Sequence, residues 1–294
     1  MVGFAKPAVS NSISAAGRDA PRFCFRSREI RMKPFHIPWA FALGLLTVSS
    51  AWAQWTVSTS AGLQHTELQE YAPDGRELVR EHGWMPGLGV RAEYAWQAWR
   101  FGIGGSTYRK TIVYDGHLQN GAPFASNTDA TQDRLNIDMA YRISDAASLI
   151  GGIEWEHRNR RILGQATVGG LDERSTSWRL LGGGQLQLAQ SDTAAVNAKA
   201  LLVVSQAEQL HVCFDQRLFD DASFSTKPAT GLRTAITVMP RSLPRFSTTV
   251  EFEWIKVPRS DEAALRKNGS QEGTVTQPEH QRRTVSAYVT YRFD

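Results

Sequence analysis

Apolar and polar residues alternate with period two in ten separate stretches of the chain. Trp55, Val57, Thr59, Ala61 and Leu63 begin the series, followed by Leu88, Val90, Ala92, Tyr94 and Trp96 with Arg91 and Glu93 between them. Trp99, Phe101 and Ile103 flank Arg100, and Leu135, Ile137, Met139, Tyr141 and Ile143 interleave with Asn136, Asp138 and Arg142. Leu149, Ile153 and Trp155 oppose Glu154, Glu156 and Arg158. The apolar sets Trp178, Leu180, Leu186 and Leu188, then Val196, Ala198, Ala200, Leu202 and Val204, then Leu232, Ile236 and Val238 continue the pattern. Phe246, Val250, Phe252 and Trp254 oppose Glu251 and Glu253, and Val285, Ala287, Val289, Tyr291 and Phe293 close the series. Successive strand residues point to opposite faces, so each stretch predicts a strand with one apolar and one polar side. Stretches of roughly 9–11 residues match the length of a bilayer-crossing β-strand.

The connections alternate as well. Short ones fall at Gln97-Ala98, Ser144 to Ala147, Ser191 to Ala195 and Pro240 to Arg245, and long polar ones near 66–83, 109–134, 159–175, 206–230 and 257–282. The expected fold is a closed antiparallel transmembrane β-barrel of about ten strands, with short periplasmic turns, long extracellular loops and both termini on the periplasmic side. A soluble β-sandwich would also alternate. Aromatic strand ends (Trp84, Trp96, Trp99, Trp178, Trp254, Tyr291 and Phe293) and charge-rich opposite faces favour the barrel, because they suit interfacial girdles and a polar lumen.

Both chain ends agree with export. The stretch Val285 to Phe293, apolar on one face and closed by aromatics, resembles the C-terminal signal by which bacterial outer-membrane barrels are recognised for insertion, although Asp294 follows the aromatic. Near the other end, Met32-Lys33 precedes an apolar run from Trp39 to Val48 and the sequence Ala51-Trp52-Ala53. A positive start, a short apolar core and an Ala-x-Ala ending form a signal peptide at 32–53, with cleavage expected after Ala53. Residues 1–31 read as an upstream extension outside the mature protein, and 54–294 as the barrel. Gln54, not Cys, follows the cut, which argues against a lipid anchor.

The charge then changes its meaning. The whole chain carries +4, but residues 1–53 hold seven Lys/Arg and two acids, or +5, which leaves −1 for 54–294. No basic balance remains to suggest nucleic acid. Removal of Cys24 with the leader leaves Cys213 as a lone thiol, so no disulfide is expected in the mature fold. The lumen should receive Arg91, Glu93, Arg100, Asp138, Arg142, Glu154, Glu156, Arg158, Arg179, Lys199, Glu251, Glu253 and Arg292. Mixed signs predict pairing and a plugged cylinder, with a narrow pore as the alternative.

Ten strands and five long outer loops resemble the omptin-like group of outer-membrane barrels. That resemblance implies a surface endopeptidase in which an Asp pair faces an Asp-His couple across the mouth and activates water. The corresponding segments are Tyr114-Asp115-Gly116-His117 and Glu208-Gln209-Leu210-His211, so Asp115, Glu208 and His211 are the weak catalytic candidates; the second Asp of the pair is missing. A non-enzymatic barrel that is structural or surface-binding through its outer loops is the preferred expectation. His65, His82, His157 and His280 lack metal-site spacing and read as surface or girdle residues, and no metal or cofactor is expected. The expected partners are outer-membrane lipid, lipopolysaccharide phosphates met by Arg160-Arg161 and Arg282-Arg283, and the barrel-insertion machinery acting on the last strand. The barrel is expected to be a monomer.

Overall fold

The computed structural model describes residues 3–4, 53–118, 121–165, 168–215 and 218–293. The expected signal peptide, Ala53 excepted, lies outside them. Among these residues fifteen strands account for the regular structure: β1 (Gly3–Phe4), β2 (Ala53–Tyr71), β3 (Glu77–Trp96), β4 (Trp99–His117), β5 (Pro123–Arg142), β6 (Ala147–Ile162), β7 (Leu171–Gln190), β8 (Ala194–Ser205), β9 (Gln209–Phe214), β10 (Ala222–Ser225), β11 (Ala229–Pro240), β12 (Phe246–Val257), β13 (Ala263–Lys267), β14 (Ser270–Thr276) and β15 (Glu279–Phe293).

Ten of these strands close on themselves. Antiparallel pairing runs from β2 through β3, β4, β5, β6, β7, β8, β11 and β12 to β15, and β15 returns to β2 with Phe293 opposite Val57 and Glu279 opposite Tyr71. Closure leaves no open edge within the ring, the condition for a sheet to stand in hydrocarbon. Among the described residues the ring runs from Ala53 to Phe293, so the expected cut would take one residue from the start of β2. At one end the staves join through short turns. Trp96 and Trp99 face each other across Gln97-Ala98, and Gln97 takes the left-handed conformation such a two-residue turn needs.

The outer surface follows the alternation. Leu88, Val90, Ile103, Leu135, Ile137, Leu180, Leu202 and Val250 are exposed, while Ala140, Glu154, Arg179, Leu201 and Glu253, on the opposite face of the wall, are buried. Trp84 and Trp96 stand exposed at opposite ends of this apolar face on β3, and Phe246 and Trp254 bracket the face on β12. About 10 strand residues at 3.3 Å each, tilted by about 45°, span roughly 25 Å, the height of an outer-membrane apolar band.

Much of 66–83, 109–134 and 159–175, expected as long loop, is strand. The connections shrink to 72–76, 118–122 and 163–170, while 206–228 and 258–278 carry β9, β10, β13 and β14. Five staves of 19 or 20 residues therefore rise well past the apolar belt. Above the belt the outer face meets water, so both faces of a strand carry polar residues. The hydrophobic period vanishes there although the hydrogen-bond ladder continues. Above the point where β8 ends, β9 takes over the edge of β7, with Cys213 opposite Asp172.

Candidate functional site in the barrel lumen

The inward face is packed with paired charges. Nearest the short turns, Arg91 on β3 makes a bidentate contact with Asp138 on β5, both bonds 2.7 Å, and donates to Glu93 at 3.0 Å. Gly102 on β4 makes room for this pair, because a Cβ there would run into the Arg91 guanidinium. Deeper in the lumen, Arg134, Arg179 and Arg233 interleave with Glu154, Glu156 and Glu253. Arg134 reaches Glu156 at 3.0 Å and Glu253 at 2.6 Å; Arg233 reaches both oxygens of Glu154 at 2.8 and 2.9 Å and also binds Glu253; Arg179 contacts Glu154 and Glu156. Gln64 and Gln132 extend the network to Glu156.

Above this layer, Arg282 on β15 pairs with Glu208 at 2.6 Å, and Arg160 on β6 holds Glu81 through two 3.0 Å bonds, Glu173 at 2.6 Å and Glu70 at 3.2 Å. Apolar clusters pack beside these charges. Leu181, Leu201, Val203, Ile255 and Val257 form one inward cluster, Val79, Tyr114 and Ile162 another, and Val212, Ala222, Leu265 and Val275 a third beneath the outer strands. A paired, desolvated charge network rigidifies a barrel and leaves its carboxylates engaged with guanidinium groups rather than with substrate.

The sequence-based candidates are placed on different surfaces. Asp115 is exposed on the outer face of β4, in a rim pocket of about 220 Å³ shared with Glu77, His117 and Phe124. Glu208 is buried on the lumen side against Arg282. His211 is half-buried, with its ring nitrogens near Ser223 Oγ at 2.9 Å and Cys213 Sγ at 3.4 Å. No contact among the described residues joins the three. Glu208 instead faces His280, at 4.0 Å. His280, expected at the surface or girdle, is buried because β15 turns its side chain inward.

Other expectations change for the same reason of facing. Arg160 and Arg282, expected to meet lipid phosphates, point into the lumen, whereas their neighbours Arg161 and Arg283 face outward. Arg142 and Arg292, expected in the lumen, are exposed at the turn end, where Arg292 donates to the Pro244 carbonyl. The lumen also contains residues the alternation passed over: Glu70, Glu81, Arg134, Arg160, Glu173, Arg233 and Arg282. Most of them sit above the belt, where no apolar partner residues mark the strand. In the full-length chain Cys213 is disulfide-bonded. The full-length chain has one other cysteine, Cys24, which lies outside the described residues, and the lone-thiol expectation concerned the chain without it. His211, Cys213 and Asp221 bring ligand-type atoms within 4.8 Å of one another; in the full-length chain that sulfur is held in a disulfide and is no thiolate ligand.

A closed ring of ten strands, an apolar belt of membrane height and aromatic borders leave one assignment. The protein is an integral outer-membrane β-barrel. No family model matches the chain, and no curated protein matches it. Among solved structures, the outer-membrane protease OmpT from Escherichia coli aligns at 10% identity and a TM-score of 0.48, covering 81% of this chain and 97% of that one. The translocator domain of the autotransporter NalP from Neisseria meningitidis aligns at 10% identity and 0.41, covering 86% and 92%. The attachment invasion locus protein Ail of Yersinia pestis aligns at 13% identity and 0.33, covering 82% and 99%.

Burial gives His280 a pH signature. Desolvation, only partly offset by Glu208, pulls its pKa down to about 4, so the ring is neutral in the folded barrel. Between about pH 6.5 and 4 the unfolded chain takes up a proton that the native ring refuses, so the contribution of His280 to stability falls as pH falls through that window. The loss from about pH 7 to about pH 5 is expected to reach about 2 kcal/mol. Denaturant midpoints of refolded protein should show this slope, and His280→Asn should flatten it; equal slopes in both proteins would refute the assignment.

Proposed function

We propose that this barrel is a non-conducting, non-enzymatic surface scaffold whose binding functions are carried by its outer end. The observation that supports this reading is the lumen, crossed by the Arg134, Arg179 and Arg233 network and, higher up, by Arg160 with its three glutamates. A conducting pore needs a continuous polar path, and these groups occupy it. Two surface pockets, about 220 and 240 Å³, lie at the long-strand end, the second lined by Tyr71, Pro73, Arg259, Glu279 and Gln281. In this reading Arg161 and Arg283, outward above the belt, meet lipopolysaccharide phosphates, the terminal strand β15 engages the insertion machinery, and the barrel is a monomer.

The test combines two measurements on refolded protein. Planar bilayers should show no unitary conductance steps, and peptides containing basic sites should stay intact even with lipopolysaccharide present. Stable open-channel steps would replace the scaffold with the narrow pore. Peptide cleavage that disappears in His211→Ala would replace it with the omptin-like endopeptidase, since a general base must lie within reach of its water and His211 is a candidate base outside the ion-pair network.

A further inference from the structure

The hairpin β13–β14 stands apart from the barrel ring. It turns at Asn268-Gly269, both residues in the left-handed conformation (φ 52° and 83°), the Asn-Gly arrangement that suits a two-residue hairpin. Asp220 fixes the turn, accepting from the backbone N–H groups of Asn268 at 3.1 Å and Gly269 at 2.8 Å. Leu265 and Val275 seat the hairpin on Val212 and Ala222 of the outer strands. The hairpin is therefore an anchored element whose sheet is separate from the barrel ring.

Its β14 edge is occupied. Gly3 and Phe4 pair antiparallel with Thr276 and Val275, so that β1, β14 and β13 form a separate three-stranded sheet. The strand that covers β14 comes from the part of the chain upstream of the expected cleavage after Ala53. Once that part is removed, the N–H and C=O groups of β14 that it satisfied become an open strand edge at the outer end of the barrel. Open edges in native proteins are normally blunted or paired. Here the exposed side chains Gln271 and Glu272 flank the edge, but no proline or bulge closes it at Val275–Thr276.

We propose that the β14 edge of the mature barrel is a docking site for an extended polypeptide segment, which binds by antiparallel strand addition opposite Val275 and Thr276. The inference rests on the surface-scaffold reading and names its partner class. Main-chain hydrogen bonds supply the affinity in this mode, and the anchored hairpin removes the cost of ordering the receptor strand. Residues Gly3–Phe4 act as an internal stand-in for the partner strand.

The experiment uses refolded protein spanning Gln54 to Asp294, which keeps all ten ring strands but for Ala53 at the start of β2. The probe is a synthetic peptide of residues 1–10 of this chain. Saturable binding is expected, together with slowed amide exchange over Gly273–Thr276. Peptides carrying Gly3→Pro or Phe4→Pro are the controls. Only alternate residues of a strand direct both backbone groups at the partner, so at least one of the two should bind about tenfold more weakly, the worth of about 1.4 kcal/mol. Replacing 263–276 by a short Gly-Ser linker should abolish binding while the barrel still resists heat in detergent. Absent binding, equal binding of both proline peptides and the parent, or binding that survives the linker variant would overturn the proposal. So would pairing of two barrels through β14, seen as a dimer in detergent that excludes the peptide. Conductance and peptide-cleavage results are independent of all these outcomes, so failure here leaves the scaffold reading standing.

Discussion

Replacing Arg233 by leucine is expected to destabilise the folded barrel by about 3–5 kcal/mol, because it strands buried carboxylates. Arg233 is 6% exposed and binds both oxygens of Glu154 and one of Glu253. Glu154 and Glu253 are equally buried, and in the variant each would keep only contacts already shared with Arg179 or Arg134. An unpaired carboxylate in a low-dielectric lumen costs far more than the pair contributes, so the second change matters. Arg233→Leu combined with Glu253→Leu should recover a large part of the loss, since an apolar pair of similar volume needs no desolvation of charge. Denaturant unfolding in detergent, followed by tryptophan fluorescence, measures both proteins. A loss below about 1 kcal/mol for Arg233→Leu, the range of exposed ion pairs, would mean that water reaches these groups and that the lumen is not closed.

The same network shows where the sequence is legible and where it is not. Leu135, Ile137, Met139 and Tyr141 predict the outer face of β5 correctly because hydrocarbon on one side and lumen on the other impose a period of two. The four short turns fall where the alternation breaks, for the same reason. The next residues of the same strand, Thr128 to Asp133, read as loop, although Thr128 and Gln132 are buried and donate to Glu81 and Glu156. Nothing in a one-dimensional pattern distinguishes a strand wet on its outer face from an irregular polar loop. Period-two counting continued upward from Leu135 would have placed Thr128, Ala130, Gln132 and Arg134 inward.

The candidate site was less legible, because it depends on which strands face each other across the lumen. Glu208 and His211 are three positions apart, which puts them on opposite faces of an extended chain; Glu208 enters the lumen and His211 stays near Ser223. The histidine that does meet Glu208 is His280, seventy-two positions away in the chain and brought there by barrel closure. Arg282 shows the same effect: its basic neighbour Arg283 suggested a phosphate contact, yet alternation on β15 sends the two side chains to opposite sides of the wall.

Placing arginine at Ile137 is expected to cost about 2–4 kcal/mol of barrel stability, because a charge at mid-bilayer on the lipid face is disfavoured by that amount. Ile137 is 64% exposed and sits between outward-facing Ile103 and Ile153 on the adjoining strands. The informative control lies on the same face of the same strand. Asn127 is exposed ten positions higher on β5, above the apolar belt and opposite Val113. Asn127→Arg should therefore cost no more than about 1 kcal/mol, the value near or beyond the interface. The two variants share strand, facing and introduced group, and differ only in height. Unfolding from lipid vesicles measures the difference, and outer-membrane levels in cells should follow it, with Ile137→Arg depleted and Asn127→Arg normal. Equal costs at the two positions would remove the belt from the height assigned to it and, with it, the reason that β5 continues as a strand above the membrane.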